Sequence, residues 1–209
     1  MTIKLGVDLD NTLISYEELF QRVAAEEGLL SAVPASIVGS NGKTGCREAI
    51  RSLPNGEFQW QKLQGLVYGA RIKEAQLIAG VHSFFRECRN RGVEVYIVSH
   101  KTKAAHHDVT GIDLHQAAMG WMSDNEFFSQ TGMGLSQNQV YFEETRAGKL
   151  TRIQSLKCTH FIDDLEELFS EKGFPEGVIK ILYDPAPHGN SPVVDMAGDW
   201  ERIRGYVFD

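Results

Sequence analysis

The sequence predicts an α/β fold: an open parallel sheet covered on both faces by helices, with an all-helical segment inserted after the first strand. Three observations lead there. Short β-rich apolar runs alternate with segments of helical period, the order that parallel strands and crossover helices produce. The acidic, hydroxyl and basic residues with chemical potential stand directly behind those runs, where open parallel sheets collect their ligands. Finally, about 80 residues separate the first run from the second, far more than one crossover helix needs. At 209 residues the chain has room for one domain carrying such an insertion.

Ile3 to Leu9 (IKLGVDL) reads as the first, buried strand. Glu17 to Glu27 has helical period, with Leu19, Phe20, Val23 and Ala24 on one face and Gly28 placed to end it in the left-handed conformation. A second helix, Cys46 to Leu53, stops at the turn signal Pro54-Asn55-Gly56. Phe58 to Tyr68 and Lys73 to Arg89 follow as helices, the latter carrying Leu77, Ile78, Val81, Phe84, Phe85 and Cys88. After the turn Asn90-Arg91-Gly92 comes the second strand, Val93 to Val98. Asp113 to Met122 is helical, Gln139 to Phe142 a third strand, and Arg146 to Leu156 helical again. Thr159 to Ile162 is the fourth strand, and Asp164 to Ser170 a helix with Leu165, Leu168 and Phe169 on one face. Val178 to Tyr183 is the fifth strand. The expected division is a core of residues 1–13 and 92–209 and a helical cap of residues 14–91.

Composition narrows the function. Apolar residues at 42% and charged residues at 23% describe a soluble globular protein and exclude disorder. No apolar stretch approaches the length of a membrane-spanning helix, and the opening MTIKLGVDLD is no secretory signal, so no membrane partner is expected. Cys46, Cys88 and Cys158 form no CxxC pair, which suits reduced thiols in the cytoplasm. A net charge of −7 argues against nucleic acid. An acidic chain still takes a small phosphorylated substrate if a divalent cation screens its carboxylates.

The residues behind the strands suggest that arrangement. Asp8, Asp10, Asn11 and Thr12 follow the first strand, and Ser99, His100, Lys101 and Thr102 the second. Asp163 and Asp164 follow the fourth, and Lys149 opens the helix before it. Four crowded carboxylates need a cation between them, and all-oxygen ligands select a hard ion such as Mg²⁺. Asp8 and Asp10 alternate along the chain, so both can face one substrate, one attacking and the other handling the leaving-group proton. Ser99 with neighbouring backbone N–H groups can hold phosphate oxygens, Lys149 can neutralise developing charge, and Asn11, His100 and Lys101 can line the same pocket.

The order of these elements resembles the haloacid dehalogenase-like (HAD) superfamily of hydrolases. Its first motif, an apolar strand followed by DxD and Thr or Val, is matched by GVDLDNTL. The second, an apolar strand ending in Ser or Thr, is matched by VYIVS; the third, a lysine, by Lys149; the fourth, a strand ending in paired acids, by HFIDD. The resemblance implies a Rossmann-like core with a helical cap. By it, Asp8 is the nucleophile forming an aspartyl-phosphate and Asp10 the general acid/base, its backbone carbonyl on Mg²⁺. Ser99 and Lys149 grip the phosphoryl group, and Asp163 and Asp164 complete the metal site. The fourth motif usually has glycine where Ile162 stands. An acid at Asp10 disfavours the dehalogenase branch, while a phosphomutase or an inactive binding module with this core are the alternatives. Lys157 is a rival for Lys149.

Other features read more plainly. Gly39-Ser40-Asn41-Gly42-Lys43-Thr44 resembles a phosphate loop, but Ile37 stands where the Walker pattern needs glycine, which leaves an exposed turn. His106, His107, Asp108, Asp113 and His115 lack metal-ligand spacing and read as a solvated loop. Trp60 and Tyr68 belong on the buried face of the cap.

Overall fold

A computed structural model describes residues 2–30, 42–105, 111–186 and 191–209. The Gly39–Asn41 part of the glycine-rich segment and the His106-His107-Asp108 cluster lie outside them. Among the described residues the strands are β1 (Lys4–Val7), β2 (Ile14–Ser15), β3 (Gln76–Leu77), β4 (Glu94–His100), β5 (Val140–Glu143), β6 (His160–Asp163), β7 (Ile179–Tyr183) and β8 (Met196–Gly198). Six of them form a parallel sheet in the order β5-β4-β1-β6-β7-β8, and β2 pairs with β3. The helices are α1 (Glu17–Glu26), α2 (Gly42–Arg51), α3 (Gly56–Gly65), α4 (Val81–Asn90), α5 (Leu114–Asp124), α6 (Arg146–Ser155), α7 (Glu166–Phe169) and α8 (Trp200–Phe208). No helix among the described residues is long and apolar enough to cross a membrane.

This is the α/β architecture that the alternation of strands and helices predicts. With β1 central, the chain builds outward to β5 on one side and then to β8 on the other, so the strand order reverses at β1. In parallel sheets that reversal opens a crevice at the C-terminal strand ends.

The chain divides into two compact units. The first comprises Met1–Ile14, Leu77–Lys101 and Met122–Asp209; the second comprises Ser15–Gln76 and Thr102–Trp121. This partition differs from an insertion at 14–91 at both margins: α4 counts with the sheet, and residues 102–121 count with the helical unit. One difference has a local cause. The expected helix Lys73 to Arg89 is broken into a 3₁₀ turn at Ile72–Glu74, strand β3, and α4. Gly80 precedes α4 at φ +91°, and a Cβ there would lie 2.7 Å from Trp200 Cβ. The apolar spacing of Leu77, Ile78 and Val81 fits a helix, but strand pairing and the positive φ of Gly80 prevail.

In the first unit the sheet is buried on both faces: Leu5, Val7, Val95, Ile97, Val98, Phe161, Ile162 and Ile181 are all inaccessible or nearly so. One apolar cluster joins Val98, Phe161 and Leu182 of the sheet to Leu150 and Ile153 of α6 and Leu168 and Phe169 of α7. Another joins α4 and α8, where Phe84 lies 4.8 Å from the Trp200 ring and 5.4 Å from that of Phe208. Asp199 caps α8 by accepting from Arg202 N at 2.9 Å. The sequence reading passed over both β8 and α8.

In the second unit, Trp60 stacks on Phe20 at 5.0 Å, and the Tyr68 ring meets those of Tyr16 and Phe20 edge-on. Trp60 is buried, in agreement with its reading as core. Trp121 Nε1 donates to Ala75 O at 2.9 Å.

Gly6 governs the centre of the sheet. It pairs with Phe161 across β1 and β6, and a Cβ on it would lie 2.5 Å from Phe161 Cδ2. The Phe161 ring occupies the space that a side chain on β1 would take, and Lys149 Nζ lies 5.3 Å from its centroid. Gly6→Ala is therefore expected to destabilise the protein by about 1–3 kcal/mol through overpacking, read as a fall in Tm. An unchanged Tm would mean that the ring yields without strain.

Candidate active site

The site lies at the C-terminal ends of β1, β4 and β6. Asp8 directly follows β1, and its N–H continues the ladder by donating to Ile162 O at 2.9 Å. The chain then turns back: Leu13 and Ile14 N–H groups both donate to Leu9 O, and Asn11, at φ +60°, donates to Ile14 O. This tight loop presents Asp8, Asp10 and Thr12. Asp163 ends β6 fully buried, and its Oδ1 accepts from Leu165 N at 2.9 Å.

Helix α6 supplies the cation. Thr145 caps it, accepting from Gly148 N at 3.0 Å, which fixes the first turn and with it Lys149. Lys149 is 2% exposed; its Nζ donates to Asp8 Oδ1 at 2.5 Å and to Asp163 Oδ2 at 2.6 Å. Asp164, half-buried, accepts from Thr12 Oγ1 at 3.4 Å. One carboxylate oxygen from each of Asp8, Asp163 and Asp164 lies within 4.8 Å of the others.

Asp10 sits differently. The expectation of four acids around one ion places its side chain with the other three. Its Oδ2 is instead 2.8 Å from Lys101 Nζ, and the close trio consists of Asp8, Asp163 and Asp164. Lys101, expected to line a substrate pocket, is buried and ion-paired with that acid. Ser99 is 1% exposed, and its Oγ has no hydrogen-bond partner among the described residues. His100 lies on the other side of the strand, exposed, with Nε2 3.2 Å from Glu144 O. Lys157, the rival lysine, adopts φ +55° just beyond α6, whereas Lys149 meets the acids.

Burial pushes the Asp8 carboxyl well above its ordinary range; Lys149 opposes the shift, while Asp163, Asp164 and Asp10 add to it. Burial alone would depress the Lys149 ammonium, yet Asp8 and Asp163 hold it above its usual value. With every acid ionised, four carboxylates would face two ammonium groups, an excess of two negative charges that one divalent cation would balance. Oxygen-only donors that close together suit Mg²⁺, so these residues fit the ion that the resemblance implies.

The sequence matches no family model and no curated protein. Solved structures do match across the whole chain. The HAD-hydrolase YfnB from Bacillus subtilis, bound to magnesium, superposes with a TM-score of 0.61 at 14% identity, covering 100% of this chain and 99% of that one. A HAD family hydrolase from Deinococcus radiodurans R1, with bound phosphate and sodium, gives 0.58 at 16% identity, covering 99% and 95%. The L-2-haloacid dehalogenase RSc1362 gives 0.54 at 13% identity over 100% of both chains. The chain therefore has the HAD-like fold, as its motifs led us to expect. The fold hosts more than one chemistry, so the residues must decide between them.

The raised Asp8 carboxyl sets the sign of a pH dependence. Its folded pKa lies above the unfolded one, so its contribution to stability is present below the unfolded value and lost as pH rises through the folded one. A cation competes with that proton. Thermal stabilisation of EDTA-treated protein by Mg²⁺ is expected to be larger at pH 8 than at pH 5.5. A shift independent of pH would place the ion elsewhere.

Proposed function

We propose that this chain is a Mg²⁺-dependent phosphohydrolase of small phosphorylated metabolites, working through an aspartyl-phosphate on Asp8. The observation that carries the reading is the buried Asp8–Lys149–Asp163 array with a second acid, Asp10, two residues from the nucleophile. A dehalogenase acting through an aspartyl ester needs no proton donor at that second position.

A carboxylate oxygen of Asp8 attacks phosphorus, forming an Asp–O–P bond while the ester P–O bond breaks. Asp10 gives its proton to the departing oxygen. Water then attacks the acyl phosphate, Asp10 takes the proton from that water, and inorganic phosphate leaves with Asp8 restored. Ser99 Oγ, buried and without a hydrogen-bond partner among the described residues, donates to a phosphoryl oxygen, and Lys149 meets the negative charge that builds there. Asp163 holds Lys149 in place. Side chains of Asp8, Asp163 and Asp164 and the backbone carbonyl of Asp10 would hold Mg²⁺, whose charge lets an anionic nucleophile approach an anionic phosphorus. Asn11 and His100 stand at the margins of this arrangement.

The separate helical unit is the candidate cap, where substrate selection and exclusion of water would reside. Three free, buried cysteines suit a protein of the reducing cytoplasm. The acidic net charge, −7, supports a small substrate over nucleic acid.

Asp8→Asn is expected to lower turnover of p-nitrophenyl phosphate in Mg²⁺ by a factor on the order of 10³ or more, with an unchanged circular dichroism spectrum. Wild-type turnover by the folded variant would sink the covalent route, and full activity in EDTA would sink the role of Mg²⁺.

A further inference from the structure

We propose that Lys101 is a positioning residue for Asp10, the group that moves the leaving-group proton, and not a ligand of the phosphoryl group. The inference rests on the reaction proposed above and deepens it. Alternation along β4 turns Ser99 and Lys101 to one side and leaves His100 exposed on the other. Lys101 N donates to Glu143 O at 3.0 Å, carrying the ladder to β5 one residue past the end of β4 and fixing the lysine's backbone. Its side chain is 4% exposed, and Nζ lies 2.8 Å from Asp10 Oδ2. An ammonium so buried needs an oxygen partner, and the Asp10 carboxyl supplies one.

The partner is fixed equally firmly. Asp10 forms a bridge with Ile14, and Thr12 O in the same loop accepts from Trp200 Nε1 at 3.0 Å. Gripping Oδ2 from a rigid strand end sets the direction of the whole carboxyl group. When Asp10 gives its proton to the ester oxygen, the carboxylate that forms has an ammonium 2.8 Å away. When water attacks the acyl phosphate, that carboxylate is already aimed to take the proton back. The phosphoryl-binding group that β4 contributes is Ser99, whose buried hydroxyl lacks a partner among the described residues.

The test compares two esters in Mg²⁺. One is p-nitrophenyl phosphate, whose phenolate departs without a proton. The other is the alkyl phosphate that the wild type hydrolyses fastest in a panel of sugar and polyol phosphates, whose alkoxide needs one. Lys101→Met is expected to lower kcat/KM for the alkyl ester about 100-fold and for the aryl ester less than about tenfold. It should add little further loss in an Asp10→Asn background, because residues acting through one another are not additive, and Lys101→Arg should recover much of the alkyl activity. If the methionine variant does not fold, Lys101→Gln carries the same comparison. Equal losses on both esters with a raised KM, or full additivity with Asp10→Asn, would overturn the role of Lys101 and leave the reaction standing. A wild type that hydrolyses neither ester would sink the reaction, and the role with it.

Discussion

Everything at the strand ends depends on one ammonium group shared by two buried carboxylates. Lys149 is 141 residues from Asp8 and 14 from Asp163 in sequence, yet its Nζ reaches both. An isolated ion at such burial would be intolerable, and removing Lys149 would leave two uncompensated carboxylates in the core. The array therefore constrains the fold around it. Helix α6 must start at the right residue, which the Thr145 cap ensures, and must pack at the right depth, which Leu150 and Ile153 set through the cluster with Phe161. Gly6 completes this support, since the ring under Lys149 fits only where β1 has no side chain.

Much of this arrangement was legible in the sequence, for a physical reason. A strand in a fully covered sheet must be apolar, so the first polar residues after it mark its end, and in parallel sheets those ends converge. GVDLDNTL, VYIVSHK and HFIDD each carry that transition, and together they put Asp8, Ser99 and Asp163 at strand ends from the sequence alone. Gly28 was legible likewise: it follows α1 and adopts φ +72°. What escaped was non-local. The break in Lys73 to Arg89 comes from pairing with β2 and from the approach of Trp200 to Gly80, neither visible in apolar spacing. Helix α8 did leave a signal, Asp199 as cap with Trp200, Ile203 and Val207 on one face, but in a segment too short to stand out.

The Lys101–Asp10 pair illustrates a further limit. Composition and position put Lys101 near a phosphate, and so did our sequence reading. Alternation along β4 alone would have separated Lys101 from His100, because one residue's slip turns a side chain to the opposite face. It could not have chosen between a substrate oxygen and Asp10 as the lysine's partner. That choice depends on the loop after β1, where the positive φ of Asn11 and the double acceptance by Leu9 O turn the chain so that Asp10 faces β4.

Charge balance orders events in the proposed reaction. Even with Asp10 holding the proton it will donate, three carboxylates stand against two ammonium groups, and the site repels a phosphate dianion at short range. Lys149 and Lys101 cannot attract one unaided, since each already neutralises acids of the site. Attraction needs a further positive charge, and the oxygens of Asp8, Asp163 and Asp164, lying within 4.8 Å of one another, are grouped to receive it. In the proposed reaction, the same excess reconciles a net charge of −7 with an anionic substrate. Acidity in that proposed reaction is a demand for a cation, and phosphate binding is conditional on that demand being met first.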